Sequence, residues 1–280
     1  MLMTRIATAV VLLIVLLAVL GWGGPTGWNG FVGVTLLAAF WEWGRLGGLK
    51  SSQSLVYAVL STAVFGGLLY LLRPETLTFP ILALAGVFWV SIAPFCLRQV
   101  SIKLISRPLV YLSLGLMLVC AAGLALGLAY THGVVFLLSV VAICWVADIF
   151  AYVFGRLFGK RKLAPRVSPG KSWEGAIGGT VCVILLSWAV VSLAGHYTVL
   201  QDTWQFQAAQ KFSPLLFSFW LAVLSAFSIV GDLFESLLKR NSGMKDSSQL
   251  LPGHGGVLDR IDAQLPVLPL AMLLLGAVGA

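Results

Sequence analysis

The chain has 280 residues, 59% of them hydrophobic and only 10% charged, with a formal net charge of +8. A water-soluble domain carries about 25% charged residues, so this composition excludes a soluble globular protein and makes lipid the surrounding solvent. Excess positive charge can suit nucleic acid, but in a membrane protein it belongs to cytoplasmic loops or anionic ligands, and no nucleic-acid partner is expected.

A spanning helix needs about 20 mostly apolar residues to cross a hydrocarbon core ~30 Å thick. Nine stretches are read as spans: 5–22, 28–44, 54–72, 79–97, 108–130, 134–155, 175–195, 212–235 and 264–280. The expectation is an all-α polytopic membrane protein, one integral unit with N-terminal helices over 1–130 and C-terminal helices carrying the polar site over 131–280. The first stretch lacks a small-residue cleavage site and reads as a retained helix. With the N-terminus in the cytoplasm, sixteen of the eighteen basic residues lie on the cytoplasmic side and only Arg73 and Lys211 lie outside. This positive-inside asymmetry predicts N-terminus in and C-terminus out.

In chain order, Glu42 closes the second stretch in AAFWEWGRL and reads as a structural partner of Arg45 at i+3. Cys96, Cys120, Cys144 and Cys182 lie in apolar stretches without a CxxC pair, which makes them small buried hydrophobes. Asp148 lies inside the sixth stretch, in CWVADIFAYVFGR, where an aspartate near the bilayer centre costs about 2.5–3.5 kcal/mol. It needs a partner or a watery cavity, and it shares a helical face with Tyr152 and Gly155. A structural aspartate at a helix interface is the plainer reading.

The loop GRLFGKRKLAPRVSPGKSWEG follows, with Arg156, Lys160, Arg161, Lys162, Arg166 and Lys171 among glycines and prolines. Such cations suit phosphate oxygens, although a loop that only sets topology or touches anionic lipid would look similar. Gly175, Gly178 and Gly179 can pack helices within one chain or between two, and a homodimer is the reading taken.

The densest stretch runs from Gly231 to Asp262, GDLFESLLKRNSGMKDSSQLLPGHGGVLDRID. Asp232, Glu235, Ser236 and Lys239 fall at i, i+3, i+4 and i+7, one continuous helical face. After a break at Pro252, Gly253, Gly255 and Gly256 around His254, Asp259 and Asp262 resume at i, i+3. The break suits close approach to a phosphate, and the following helix would offer its positive end to an anion. Carboxylates beside Lys239, Arg240, Lys245 and Arg260 suit a nucleotide carried as its Mg²⁺ complex. His254 is expected to contact phosphate or the metal's surroundings rather than to catalyse.

The run Ser236-Leu-Leu-Lys239-Arg240, then Lys245-Asp246, Pro252-Gly-His254-Gly255-Gly256 and Leu258-Asp259-Arg260-Ile261-Asp262 resembles the C-terminal motif of phosphatidate cytidylyltransferases, also called CDP-diacylglycerol synthases. The segment AYVFGRLFGKRKLAPRVSPGKSWEG is similar to a second family region, with Ser172 where threonine is more usual. The resemblance is detailed over about 145–262 and hydropathic before that. It implies condensation of CTP with phosphatidic acid to CDP-diacylglycerol and pyrophosphate, in a bacterial-type inner membrane with the site facing the cytoplasm. It also implies Mg²⁺, with a second cation left open, and Asp232 and Asp259 as metal-site carboxylates. The expected set is then Asp232, Asp259, Lys239 and Arg260 for catalysis, and Asp148, Glu235 and Asp262 as further metal candidates. Lys160, Arg161, Lys171, Ser172, Ser236, Arg240, Lys245, His254, Gly255 and Gly256 are expected to bind substrate. An anionic-solute transporter, or a CTP-dependent enzyme acting on another lipid phosphate, is the alternative; transport would predict an internal repeat, whereas the polar chemistry here lies in one half.

Overall fold

The computed structural model describes residues 2–71 and 74–276. Arg73 and residues 277–280, the end of the last expected span, lie outside them. Helix occupies each of the nine expected positions: α1 Leu2–Trp22, α2 Gly24–Leu46, α3 Ser51–Leu71, α4 Pro74–Val87 continuing through a π turn at Phe88–Ile92 into α5 Ala93–Gln99, α6 Pro108–Thr131, α7 Val134–Phe158, and then, beyond a β-hairpin, α8 Trp173–Leu193, the short α9 Trp204–Lys211, α10 Pro214–Asn241, the single turn α11 Leu258–Ile261 and α12 Gln264–Gly276. Six of these segments are long and apolar enough to cross a membrane: Ser51–Tyr70, Thr78–Gln99, Pro108–Thr131, Val134–Phe158, Trp173–Leu193 and Pro214–Asn241. The chain is an all-α, multi-pass membrane protein.

The loop expected after α7 is in part ordered. β1 Lys162–Ala164 pairs antiparallel with β2 Ser168–Ser172, in register Lys162 with Ser172 and Ala164 with Ser168. Helix α10 runs past the expected end at 235 to Asn241, because no helix breaker intervenes before Gly243.

Aromatic packing sets the frame. The Trp43 indole on α2 donates to the Tyr111 carbonyl at 3.0 Å, lying over Gly115 where a side chain would collide with it. The π turn presents two consecutive buried rings, and Phe88 and Trp89 meet Phe234 of α10 edge-on at 5.4 and 5.5 Å. That contact fixes the rotation of α10 one residue before Glu235.

Small residues set the closest helix pair. Gly175, Gly178 and Gly179 of α8 face Ala147, Ala151, Phe154 and Gly155 of α7, and a β-carbon on Gly179 would sit 2.6 Å from the Ala147 carbonyl and 3.2 Å from Ala151 Cβ. Backbones approach this closely only where side chains are missing. Of the two packings open to these glycines, within one chain or between two, the structure shows the first. Gly231 on α10 does the same for the α11–α12 junction: its missing side chain admits the Asp262 carbonyl and the Pro266 ring, whose Cδ would be 2.9 Å from a β-carbon.

Gly179→Leu is expected to overpack α7 against α8 and to cost about 1–3 kcal/mol, read as a lower thermal midpoint in detergent. Substitution of Gly127, with open space around it, is the control and should leave the midpoint in place.

Candidate active site

The inner end of α10 carries the predicted face. Lys239 reaches back one turn to pair with Glu235, and its Nζ also lies 2.5 Å from Asp259 Oδ1. Asp259 Oδ2 accepts from the Gly256 N–H at 2.7 Å, the Ser247 N–H at 3.0 Å and Ser247 Oγ at 2.9 Å. Burial pushes this carboxyl up, but the Lys239 ammonium and the Gly256 N–H outweigh it and hold the carboxyl down at about 2, so Asp259 remains an anion. Gly255 takes φ +85°, and a β-carbon there would stand 2.8 Å from Asp259 Oδ2; both conformation and space call for glycine.

Glu42 is the residue that sequence reasoning placed wrongly. It is fully buried and makes no salt bridge with Arg45, whose guanidinium instead lies over the Trp41 ring at 4.9 Å. Its Oε1 accepts from Ser248 Oγ at 2.6 Å and the Val257 N–H at 2.9 Å; its Oε2 accepts from Ser247 Oγ at 3.0 Å and the Leu258 N–H at 2.6 Å. The start of α11, expected to greet a phosphate, is occupied by this carboxylate. The Gly256 amide is likewise committed to Asp259, whereas Gly255 lines the polar basin beside His254. The signal was available: an acid among Phe40, Trp41 and Trp43 carries the same desolvation cost that singled out Asp148.

A second group forms around Lys171 of β2, whose Nζ is 2.7 Å from Asp232 Oδ2. Ser236 Oγ donates to Asp232 Oδ1 at 3.4 Å. Asp262 lies close by, and burial, then the nearby carboxylates of Asp232 and Asp148, pushes its carboxyl well above the usual range. A cavity of about 440 Å³ among α7, β2, α8 and α10 is lined by Asp148, Arg156, Lys171 and Asp232. Asp148 also lines a second cavity of about 430 Å³ among α1, α2, α6, α7 and α12, together with Asp259, Arg260 and Asp262. A wider polar basin of about 850 Å³ holds Lys245, Asp246, His254 and Arg260. The five candidate metal carboxylates thus divide, three around Lys171 and two held by Lys239; among the described residues no three acidic, histidine or cysteine side chains converge as a ligand set.

Several expected phosphate binders also brace the fold. Lys160 and Arg161 are exposed, and their backbone N–H groups donate to the Glu174 carboxylate at 3.1 and 3.2 Å, which leaves their side-chain cations free. Ser172 lines the first cavity and caps α8, its Oγ accepting from the Gly175 N–H at 3.2 Å. The Arg240 Nε donates to the Val167 carbonyl at 3.4 Å, bracing the hairpin turn against α10, a contact between segments that sequence spacing treats as independent. Arg156, named among the loop cations but left out of the expected binding set, lines the first cavity and donates to the Tyr152 hydroxyl at 3.2 Å.

Carboxylates and ammonium groups gathered at one end of a membrane bundle, where two cavities meet, define an integral-membrane enzyme that handles charged substrates at the bilayer surface. The sequence matches the model of the cytidylyltransferase family over residues 3–278, and the chain belongs to that family; it is a nucleotidyltransferase. It is 40% identical to the phosphatidate cytidylyltransferase of Pseudomonas aeruginosa over 287 residues, covering all of this chain and 98% of the relative. The enzyme of the same name from Haemophilus influenzae is 47% identical over 138 residues, 49% of this chain and 44% of the relative. That of Staphylococcus epidermidis is 41% identical over 150 residues, 52% and 50% of the two chains.

Glu42→Gln keeps an acceptor but turns an N–H₂ toward two donors, and should destabilise by about 1.5–3 kcal/mol, the range for hydrogen bonds to a charged group. The check is a lower thermal midpoint together with new protease cleavage between residues 243 and 256.

Proposed function

We propose that this chain is a phosphatidate cytidylyltransferase, which joins CTP to phosphatidic acid to give CDP-diacylglycerol and pyrophosphate for phospholipid synthesis. The observation that carries the reading is the Asp148–Lys171–Asp232–Asp262 group, which opens both to a cavity lined by the charges of Asp148, Arg156, Lys171 and Asp232 and to a second, deeper one with apolar walls. A substrate with a phosphate head and hydrocarbon chains needs that combination. The end-to-end match to the relative from Pseudomonas aeruginosa supports it.

In the reaction an oxygen of the lipid phosphate attacks the α-phosphorus of CTP, forming the new P–O bond, while the bond from the α-phosphorus to the bridging oxygen breaks and pyrophosphate leaves. The attacking phosphate is already an anion, so no strong base is required, and positioning and charge neutralisation supply the catalysis. Lys171 and Arg260 border the cavities and serve as phosphate counter-charges; Lys239 holds Asp259 and Glu235 in place. Asp148 and Asp232, which line the first cavity together, offer hard oxygens that suit Mg²⁺. These two would hold the metal, with its other positions left to water and substrate phosphates and a second cation left open, whereas Asp262 would join them only if the turn after α11 shifted and Asp259 only after releasing Lys239. Bound there, Mg²⁺ would neutralise charge on the phosphates that depart.

The same reading sets the chain in a bacterial inner membrane with nine crossings and the N-terminus and site in the cytoplasm. Glu42 ties the end of α2 to residues 247–258, Arg240 ties α10 to the hairpin, and Tyr111 stacks beside Trp43, so the basic segments gather at one end of the bundle. Lys211 binds the Leu275 carbonyl at the other end, at 2.8 Å. That segregation supports the positive-inside orientation.

The test is formation of labelled CDP-diacylglycerol and pyrophosphate by the purified protein in lipid–detergent micelles with Mg²⁺. Chelation should abolish it, and Asp232→Asn should lower kcat by about 10²–10³, the cost of removing one preorganised electrostatic group. Full activity in folded Asp232→Asn, or no product with any lipid phosphate, would overturn the assignment.

A further inference from the structure

We infer that the cavity bounded by α1, α2, α6, α7 and α12 is a slot for one acyl chain of the lipid substrate, and that its walls set chain-length preference. This rests on the function proposed above and assigns a part of the substrate to a part of the fold.

The slot has apolar walls, among them Leu16, Phe31, Leu36, Leu126, Val141 and Leu268, and a charged floor of Asp148, Arg260 and Asp262. Along α7 it extends from Leu137 to Asp148, eleven residues. At about 1.5 Å per residue that is ~16 Å, close to half of the ~30 Å hydrocarbon core. Its depth is thus that of one leaflet, the length a lipid chain spans. The floor supplies the head's counter-charge: Arg260 is exposed, makes no salt bridge among the described residues, and also lines the polar basin with Lys245. Asp148 opens onto the first cavity as well, so a phosphate held at this floor stands at the junction where the reaction takes place.

Entry from the bilayer is geometrically simple. Helix α1 forms the outer wall through Leu12 and Leu16, yet contributes no buried residue among those described. Another apolar groove, about 370 Å³ between α8 and α10, has no charged residue in its lining. A lipid tail could lie there, but nothing in it would hold a phosphate head, and this distinguishes the slot from ordinary lipid-facing surface.

The experiment compares kcat/KM for dioleoyl and dioctanoyl phosphatidate in mixed micelles. Leu126→Trp and Val141→Trp, which fill the slot, should lower the long-chain to short-chain ratio about tenfold, the scale of a few methylenes in an apolar pocket. Leu126→Ala should move the ratio the other way. An unchanged ratio in all three, with wild type active, overturns the slot and leaves the function standing. The slot is also read without turnover: phosphatidate with brominated chains should quench tryptophan emission more than brominated phosphatidylcholine does, and the excess should fall in Trp145→Phe, which removes an indole from the slot's lining. Equal quenching by the two lipids means that the cavity holds bulk lipid only, and overturns the inference. Wild type inactive on every lipid phosphate would instead overturn the function.

Discussion

Two carboxylates joined through one serine organise the charged end of the bundle. Glu42 and Asp259 both accept from Ser247 Oγ, and between them they also take the backbone N–H groups of Ser247, Gly256, Val257 and Leu258. A buried anion is tolerable only when donors replace its hydration, and here the glycine-rich turn folds inward to supply them. The turn's amides and the first turn of α11 thereby become part of the scaffold. Lys239 completes it by pairing with Asp259 and Glu235 at once.

That scaffold leaves a different set of charges free to act. Asp232 and Lys171 are partly exposed to the first cavity, Asp148 opens onto both cavities, and Arg260 stands between the slot and the polar basin. The charges held by Glu42 and Lys239 are committed inside the scaffold; Lys171, Asp232 and Arg260 keep faces open to the cavities. The division follows from solvation, since a group with all its lone pairs or protons committed inside the protein has nothing left to offer a ligand.

Missing side chains bring these groups together. Gly175, Gly178 and Gly179 let α8 close on α7, and Gly231 lets the start of α12 close on α10, so that Asp148 of α7, Asp232 of α10 and Asp262 of the turn before α12 come into one neighbourhood. In lipid, where apolar surface gives no net drive for helices to associate, close backbone contact is the main attraction available. Glycines that can pack helices within one chain or between two are used here within the chain, in making the site.

Composition and the length of apolar runs by themselves determined that this is a helical membrane protein, and spacing determined that Asp232, Glu235, Ser236 and Lys239 share a face. Both are local properties, since helix periodicity needs only neighbouring residues. Only the tertiary structure decided that Glu42 belongs to a loop 205 positions away and that Arg240 braces a hairpin. Cations and carboxylates alike in sequence acquire different roles because burial and partners are set by packing between distant segments, and the free energy of a charge depends on those surroundings rather than on its neighbours along the chain.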